Sequence, residues 1–232
     1  MDETDDQCRA RLPAAVYDLA IRLGVKPGGN RGSVRLAQTG RMKRSLDTGS
    51  WMAFTATQTI STQACAFDWL AKFGPFGIIS ARDALEHGEG RMDIMALGVV
   101  PIARAKHTTA LLRGELMRYL AELAWAPAAI LFNKSLRWRD DGPDALAVSA
   151  GAGEAVSEVL LSLDSEGRIS GAFAQDRPRS VTTTFLLTPW RGQFSGYRRR
   201  GDMWIPSAGE VSWEIDGRDV LYWQGRIEQW EG

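Results

Sequence analysis

Hydrophobic and polar residues alternate with a period of two over most of this chain. Between Val34 and Leu97 the alternation predicts about five half-buried strands joined by short loops. After a helical interruption the alternation returns and predicts about eight more strands, some of them separated by dipeptides that favour hairpin turns, such as Asp141-Gly142 and Asp216-Gly217. The later segments are 135–140, 145–150, 155–164, 168–175, 181–188, 192–200, 209–216 and 220–230.

Two segments have the spacing of amphipathic helices instead. Residues 13–23 predict a short helix that begins with Pro13 and ends at Gly24. Thr109–Trp125 predicts a longer helix, which Pro127 ends or kinks, and the apolar run to Phe132 is consistent with a second short turn. The apolar stripe of the longer helix consists of Leu112, Leu116, Tyr119, Leu120 and Leu123.

These elements predict a mainly β (α+β) protein. We expect a single curved antiparallel sheet or half-barrel of about 11 to 13 strands, capped by a central helix and a short N-terminal helix, because so wide a sheet must curl. Residues 1–30 would form a tail and the short helix, and residues 31–232 one β domain with a helical insertion at about 108–132. The space between the central helix and the concave face would be either a filled core or a ligand cavity.

The charge balance narrows the classes of partner. The chain has 28 Lys and Arg against 28 Asp and Glu, so its net charge is zero, and this argues against a nucleic-acid partner. No stretch combines the length and apolar character of an integral membrane segment. The start of the chain is acidic rather than basic, and we expect Cys8, in a polar tail, and Cys65, on a strand, to be free thiols. We therefore expect a cytoplasmic protein, either a monomer or a homodimer.

Gln58 is the most informative single residue. It shares a strand face with Met52, Phe54, Ala56 and Ile60, where an amide without partners would be costly to bury. It therefore either orients a ligand in a cavity or makes a structural hydrogen bond to a neighbouring strand or to the helix.

Charged side chains supply further candidates. Glu115, Arg118 and Glu122 lie at helical spacings and could form an acid/base and anion-binding cluster or an ordinary solvated face with ion pairs. Asp93, beside Arg91, could be a buried general base, or it could be paired with an arginine or face water. The two histidines show no metal-ligand spacing, and the sequence contains no phosphate loop or dinucleotide fingerprint, so we expect no metal and no cofactor.

The chain is rich in tryptophan, with nine residues. Most of them should fill the core, and Trp69 and Trp213 share strand faces with other apolar residues, as expected for a core or a cavity wall. Trp51 and Trp138 lie beside polar neighbours and are better candidates for ligand stacking or a subunit contact. The expected ligand-binding residues are Trp51, Phe54, Gln58, Trp69, Arg118, Trp138, Tyr197 and Trp213.

Seven short motifs recur together from about Leu12 to the end of the chain. In combination they resemble an uncharacterised bacterial family, a domain of unknown function. The C-terminal motifs are also similar to bacterial lipoprotein carriers, and that resemblance implies a curved half-barrel, capped by helices, that holds acyl chains. The motifs are Arg41-x-Lys43, Trp51-x-x-Phe54-x-Ala56-x-Gln58, Gly88-x-Gly90-x-Met92, Leu97-Gly98-x-Val100-Pro101, Arg118-x-x-x-Glu122-x-x-Trp125-x-Pro127, Pro189-Trp190-x-Gly192-x-Phe194-x-x-Tyr197 and Ile205-Pro206-x-x-Gly209-Glu210-Val211-x-Trp213.

Two functions from different classes fit these features, and a third class, a structural or interaction module, stays open. The first function is cofactor-independent binding of a hydrophobic small molecule (a lipid, an isoprenoid or a polyketide-like compound) in a cavity between the curved sheet and the central helix. The second is a cofactor-free cyclase or isomerase on the same scaffold, which would need mainly shape, desolvation and a few polar groups. Its catalytic residues would be Gln58, Asp93 and Glu122.

Overall fold

The computed structural model describes residues 5–29, 32–46, 49–96, 100–104, 107–182 and 184–232. Leu97 and Gly98 of the fourth motif and the expected domain boundary at residues 30 and 31 lie outside these ranges. The helices are α1 (Asp5–Arg11), α2 (Ala14–Arg22), α3 (Thr109–Ala121) and α4 (Ala128–Phe132). The strands are β1 (Ser33–Lys43), β2 (Trp51–Ser61), β3 (Phe67–Phe73), β4 (Ile79–Glu86), β5 (Glu89–Ala96), β6 (Val100–Arg104), β7 (Arg137–Asp140), β8 (Ala145–Ala150), β9 (Ser157–Leu163), β10 (Ile169–Val181), β11 (Thr184–Arg200), β12 (Met203–Ile215) and β13 (Arg218–Glu231).

All of these strands belong to one antiparallel sheet, which curls into a half-barrel. The spatial order is β6-β5-β4-β3-β2-β1-β13-β12-β11-β10-β9-β8-β7, so each strand lies beside its neighbour in sequence except where β1 meets β13. The edge strands β6 and β7 flank the helical segment in the chain, and α3 contacts β4 and β5 as well as β8, β9 and β10. The chain therefore crosses the concave face as a helix, as the sequence predicts.

The period of two explains how each strand divides between the core and the outer face. In β3, Phe67, Trp69, Ala71 and Phe73 are buried, whereas the residues between them are less buried or exposed. The hairpin between β12 and β13 turns at Asp216-Gly217, where both residues have positive φ, 51° and 71°. Positive φ at both central residues is what a two-residue hairpin turn requires, so this turn was predictable from its dipeptide.

The central helical segment is buried on almost every side. Thr108 caps α3, and its hydroxyl accepts a hydrogen bond from the Leu111 amide at 3.1 Å. The helix α3 ends at Ala121, before the predicted end at Trp125, because a 3₁₀ turn forms at Glu122–Ala124. Pro127, where the sequence predicts an end or a kink, then precedes α4. Burial extends beyond the apolar stripe to Glu115 and Met117, because the curled sheet contacts the helix from both of its sides.

Four features differ from the sequence-based expectations. Cys65, which we expect on a strand, lies in the segment between β2 and β3. The prediction that Cys8 lies in a polar tail is wrong, because α1 forms there and buries Cys8 completely. The predicted strands 181–188 and 192–200 are one continuous strand, β11. Pro189 lies at an irregularity in the pairing with β10 and has no residue opposite it there, so the strand continues through it without losing a ladder hydrogen bond. Strand β12 begins at Met203, six residues earlier than expected.

Within the described ranges, none of the helices has the length and apolar character needed to cross a membrane.

Candidate functional site

The concave face has a part that the helices cover and a part that they leave open. In the covered half, residues of the helical segment such as Leu120, Leu123 and Ile130 have no exposed surface. In the other half, apolar side chains pack against the core yet keep part of their surface exposed, and we call this part the open face. The residues of the open face are Met42, Met52, Val211, Ile215, Tyr222 and Trp223.

Strand register places the open face in a continuous row. Met42 of β1 lies opposite Met52 of β2 on one side and Trp223 of β13 on the other. Trp223 in turn lies opposite Val211 of β12. Paired residues of neighbouring strands share a face, so four adjacent strands contribute one apolar row to the concave side.

Aromatic rings form the floor behind this row. Phe54 stacks on Trp223 with ring centroids 5.9 Å apart, and it also contacts the rings of Trp69 and Phe73. Trp213 stacks on Tyr222, also at 5.9 Å. Such pairs add about 0.5–1.5 kcal/mol beyond the area that they bury, so the floor is a rigid surface rather than a loose one.

Glycines let these rings lie directly on the backbone. Gly40, Gly225 and Gly209 face each other across β1, β13 and β12. A Cβ atom on Gly225 would come within 2.3 Å of the Trp223 ring, and one on Gly209 within 2.9 Å of the ring of Trp125. The centre of the sheet therefore requires glycine in order to seat its tryptophans.

A buried network of polar side chains ties the helical segment to the sheet. The Gln58 amide donates to a Glu122 carboxylate oxygen at 2.5 Å, and the Gln38 amide donates to the Gln58 carbonyl oxygen at 3.0 Å. The Trp69 indole N–H donates to Gln38 at 2.9 Å. Gln58 therefore makes the structural hydrogen bond to the helical segment that its sequence context left as one of two alternatives.

Arg118 is the cation of this network. Its guanidinium donates to Glu122 at 2.8 Å and to Asp83 of β4, and it lies over the rings of Phe67 and Trp69. Burial alone would lower the pKa of Arg118, but the carboxylates around it, above all Glu122 and Asp83, outweigh burial and raise it. The Arg118 cluster is thus a buried charge network rather than a solvated helix face.

Glu115 and Asp83 each bury an oxygen that receives no hydrogen bond from an N–H within the described ranges, Oε2 of Glu115 and Oδ1 of Asp83. Burial, and then the Asp83 carboxylate, raise the pKa of Glu115 well above its ordinary value. A protonated Glu115 carries an O–H that can donate to Asp83, whereas two ionised carboxylates so close would repel each other. The raised pKa therefore favours the neutral form of Glu115 and a hydrogen bond between the two carboxyl groups.

Arg177 reaches the concave face through a bulge in β10. Ala174 pairs with Trp190 and Arg177 pairs with Thr188, so β10 has one more residue than β11 between these pairs. The extra residue reverses the alternation, and the Arg177 guanidinium lies 4.4 Å from the centroid of the Trp190 ring and 5.5 Å from that of Trp213. Its Nε is buried, and no partner for it lies in the described part of the chain.

The structure brings five of the eight expected ligand-binding residues to the inner side of the sheet. Phe54 and Trp213 belong to the floor of the open face, and Gln58, Trp69 and Arg118 belong to the buried network beneath the helix.

Three further expected ligand-binding residues lie away from both groups. Trp138 pairs with the buried Val148 and is half-buried against the core. Tyr197 donates its hydroxyl to the Ile169 carbonyl at 2.8 Å. Trp51 lies on the outer face, with the Arg41 guanidinium 4.7 Å from its ring centroid.

Asp93 also lies on the outer face. It pairs in register with Arg82, which holds Asp68 on that face, and the Arg91 Nε is 2.5 Å from an Asp93 oxygen. Asp93 thus has the arginine partner that was one of its expected alternatives. The three residues expected to be catalytic are therefore not together, because Asp93 is separated from Gln58 and Glu122 by the sheet itself.

Sequence reasoning missed three residues of the site. Gln38 alternates with Leu36 in β1, and Asp83 alternates with Leu85 in β4, so the same test that found Gln58 would have found both. Arg177 could not be found in this way, because a bulge changes the face of every later residue and leaves no simple mark in the sequence.

A separate pocket of about 220 Å³ lies at the far end of the half-barrel, between α4 and the sheet. It is lined by Val34, Ala128, Phe132, Met203 and Trp230, among others. Within the described ranges, no three His, Cys, Asp or Glu side chains are arranged to hold a metal ion.

The architecture is similar to that of lipoprotein-carrier proteins. A domain named for outer membrane lipoprotein sorting, from Vibrio parahaemolyticus, aligns over 94% of this chain and 90% of its own at 10% identity, with a TM-score of 0.51. A LolA superfamily protein from Nitrosomonas europaea aligns over 93% of this chain and 92% of its own, at 10% identity and with a TM-score of 0.50. A DUF1329 family protein from Desulfovibrio piger aligns over 94% of this chain and 92% of its own, at 11% identity and with a TM-score of 0.51. At these identities the similarity establishes the fold alone.

The chain belongs to a family of unknown function, DUF6920, whose model matches residues 10–231. The resemblance to a bacterial domain of unknown function with a carrier-like half-barrel is thereby confirmed. A search of curated proteins gave no match.

Proposed function

We propose that this protein binds a hydrophobic small molecule, such as a lipid or an isoprenoid, on the open face of its half-barrel. The observation that carries this proposal is the partly exposed apolar row that crosses four strands from Met52 to Val211. An apolar surface held open on a concave sheet is typical of ligand-binding regions.

The proposed position differs from the cavity beneath the central helix that the sequence suggested. Beneath the helical segment, Leu120, Leu123 and Ile130 fill the space with no exposed surface. A ligand there would have to displace packed side chains, whereas on the open face it would cover surface that is already exposed. The open face is therefore the better position for the ligand.

The floor of the open face suits an extended apolar chain. Stacked rings such as Phe54 and Trp223 are rigid, so little side-chain entropy is lost when a chain covers them. Each buried CH₂ group contributes about 0.8 kcal/mol, so affinity should rise up to about fourfold for each added methylene. The lipoprotein-sorting name of the Vibrio relative supports a ligand with apolar chains.

Quenching of tryptophan fluorescence by dodecanol with a terminal bromine tests this proposal. We expect saturable quenching of the natural protein, because Trp223 and Trp213 lie at the open face. Trp223→Phe should lose a substantial share of the quenching, whereas the matched variant Trp51→Phe, changed on the outer face, should keep it. Absence of saturable quenching, or an equal loss in both variants, would contradict the proposal.

A cyclase or isomerase is not proposed, because its expected residues Gln58 and Asp93 lie on opposite faces of the sheet. The cytoplasmic location stays a prediction that cell fractionation would test. The alternatives of monomer and homodimer stay open to light scattering.

A further inference from the structure

A buried polar atom without a partner lies at the helix side of the open face. Arg177 Nε is buried, and no hydrogen-bond partner for it lies in the part of the chain that the structure describes. The buried carboxyl groups of Glu115 and Asp83 lie nearby and are close enough to share a hydrogen bond, so they can satisfy each other. A buried donor without a partner is rare, and it suggests a site that a ligand completes.

Arg177 lies between the carboxyl groups of Glu115 and Asp83 and the aromatic floor of the open face. Its guanidinium covers the rings of Trp190 and Trp213, and Trp213 stacks on Tyr222 of the open face. Arg177 also interacts electrostatically with Glu115, so it lies between the floor and α3. A molecule whose apolar chain lies on the open face can therefore reach Arg177 with its polar end.

The balance of charges at this place favours an anion. Arg118 is neutralised by Asp83 and Glu122, and Arg113 of α3 by Asp176 of the β10 bulge. Arg177 and its neighbour on the same face, Arg179, form no ion pair within the described ranges, although the Nε of Arg179 donates to the Thr188 hydroxyl at 3.3 Å. Two arginines without carboxylate partners leave an excess of positive charge beside the open face.

Glu115 offsets the positive charge of Arg177 less than an ordinary carboxylate would. The charged and titratable groups that interact with it are Asp83 of β4, Arg118 of its own helix and Arg177 of β10. Burial and Asp83 raise the pKa of Glu115, and this favours its neutral carboxyl form, whose O–H can donate to Asp83.

We infer that Arg177, with Glu115 beside it, receives the head group of the bound molecule, and that this head group is an anionic oxygen acid such as a carboxylate or a phosphate. This inference rests on the proposed function, because the apolar chain of the same molecule occupies the open face. The planar guanidinium suits two oxygens of one acid, and a charge-assisted hydrogen bond in a dry site is stronger than a neutral one.

Four twelve-carbon probes test the inference: dodecanoate, dodecyl phosphate, dodecanol and dodecyltrimethylammonium. Each is titrated at pH 7 against the full chain, below the concentration at which it forms micelles, and followed by competition with brominated dodecanol. We expect both anions to bind about tenfold or more tightly than dodecanol, and the cation to bind more weakly than dodecanol. Comparison of the two anions separates a carboxylate preference from a phosphate preference.

Arg177→Gln should bring the affinity for both anions close to that for dodecanol, with little change in the affinity for dodecanol. Arg177→Lys keeps the charge and should keep part of the preference, so it provides a second variant if the first does not fold. Arg41→Gln is the matched control, because Arg41 also stacks on a tryptophan but lies on the outer face. Circular dichroism confirms that each variant folds.

The outcomes separate this inference from the proposed function. If none of the four probes binds, both fail. If dodecanol binds but the anions bind no more tightly, the proposed function stands and the head-group inference is overturned. An anion preference that survives in Arg177→Gln and Arg177→Lys overturns the assignment to Arg177.

Discussion

The two halves of the concave face are built from the same kinds of residue but differ in how far those residues are buried and hydrogen-bonded. Under the helical segment, Gln58 and Gln38 find partners in Glu122, Trp69 and each other, and the apolar side chains around them are fully buried. On the open face the apolar row keeps part of its surface exposed, and the nearby Arg177 has a buried N–H without a partner.

This difference shows that a polar residue on an inner face is not by itself a sign of function. A buried amide with all its partners contributes to the fold, because it specifies how the helix docks on the sheet. A buried polar atom without a partner has a desolvation cost that the protein alone does not offset. Arg177 has an N–H of the second kind beside the apolar row of the open face, and this is why we place the head group of the ligand there.

Removal of the Arg118 side chain should destabilise the covered half of the concave face. Arg118→Ala leaves Asp83 and Glu122 buried without their cation, and we expect the free energy of unfolding to fall by about 3–5 kcal/mol. Urea denaturation measures this loss. The control Arg41→Ala, on the outer face, should lose less than about 1 kcal/mol. Equal losses would mean that the buried network does not hold the helix on the sheet.

A methyl group at Gly225 should disturb the centre of the sheet, where the two halves join. The new Cβ would lie 2.3 Å from the Trp223 ring, so the ring must move, and we expect a loss of about 1–3 kcal/mol in the free energy of unfolding. Gly28→Ala is the matched control, because nothing lies within 4 Å of its Cβ position and its φ is not positive. If Gly225→Ala were as stable as Gly28→Ala, the claim that the Trp223 ring packs directly against the backbone at Gly225 would be contradicted.

Glu115 should make stability depend on pH. Its pKa is raised in the folded state, so the folded protein holds a proton that the unfolded chain releases above about pH 4.3. The natural protein should therefore lose stability relative to Glu115→Gln as pH rises from that value through the raised pKa, by up to about 1.4 kcal/mol per pH unit. Denaturation curves of both proteins from pH 4 to pH 8 measure the difference, and parallel curves would contradict a protonated Glu115.

Met52→Ala should have the smallest effect on stability. Met52 is partly exposed, so we expect the free energy of unfolding of Met52→Ala to fall by less than about 1.5 kcal/mol. For Leu120→Ala in the covered half we expect a fall of about 2–5 kcal/mol, because Leu120 is fully buried. In quenching titrations with brominated dodecanol, by contrast, Met52→Ala should bind several-fold more weakly. The opposite ranking of stability losses would remove the distinction between the two halves.

The sequence was sufficient for the architecture, because periodicity and turn dipeptides are local signals. It also identified Gln58, Arg118 and Glu122, which meet in the structure because their spacings place them on inward faces. It could not identify Arg177, whose face depends on a bulge, and it could not decide which half of the concave face the helix covers. Both depend on how distant segments pack, and local patterns do not record such packing.

The position of a bound chain is the most direct test of the central claim. Crystals of the protein grown with dodecanoic acid that carries a terminal bromine would locate the bromine atom by its anomalous scattering. We predict a bromine peak on the open face, near Met42, Met52 and Trp223, with the carboxylate at Arg177. A peak in the pocket beside Phe132 and Trp230, or on the outer face near Trp51, would contradict the claim that the open face is the binding site.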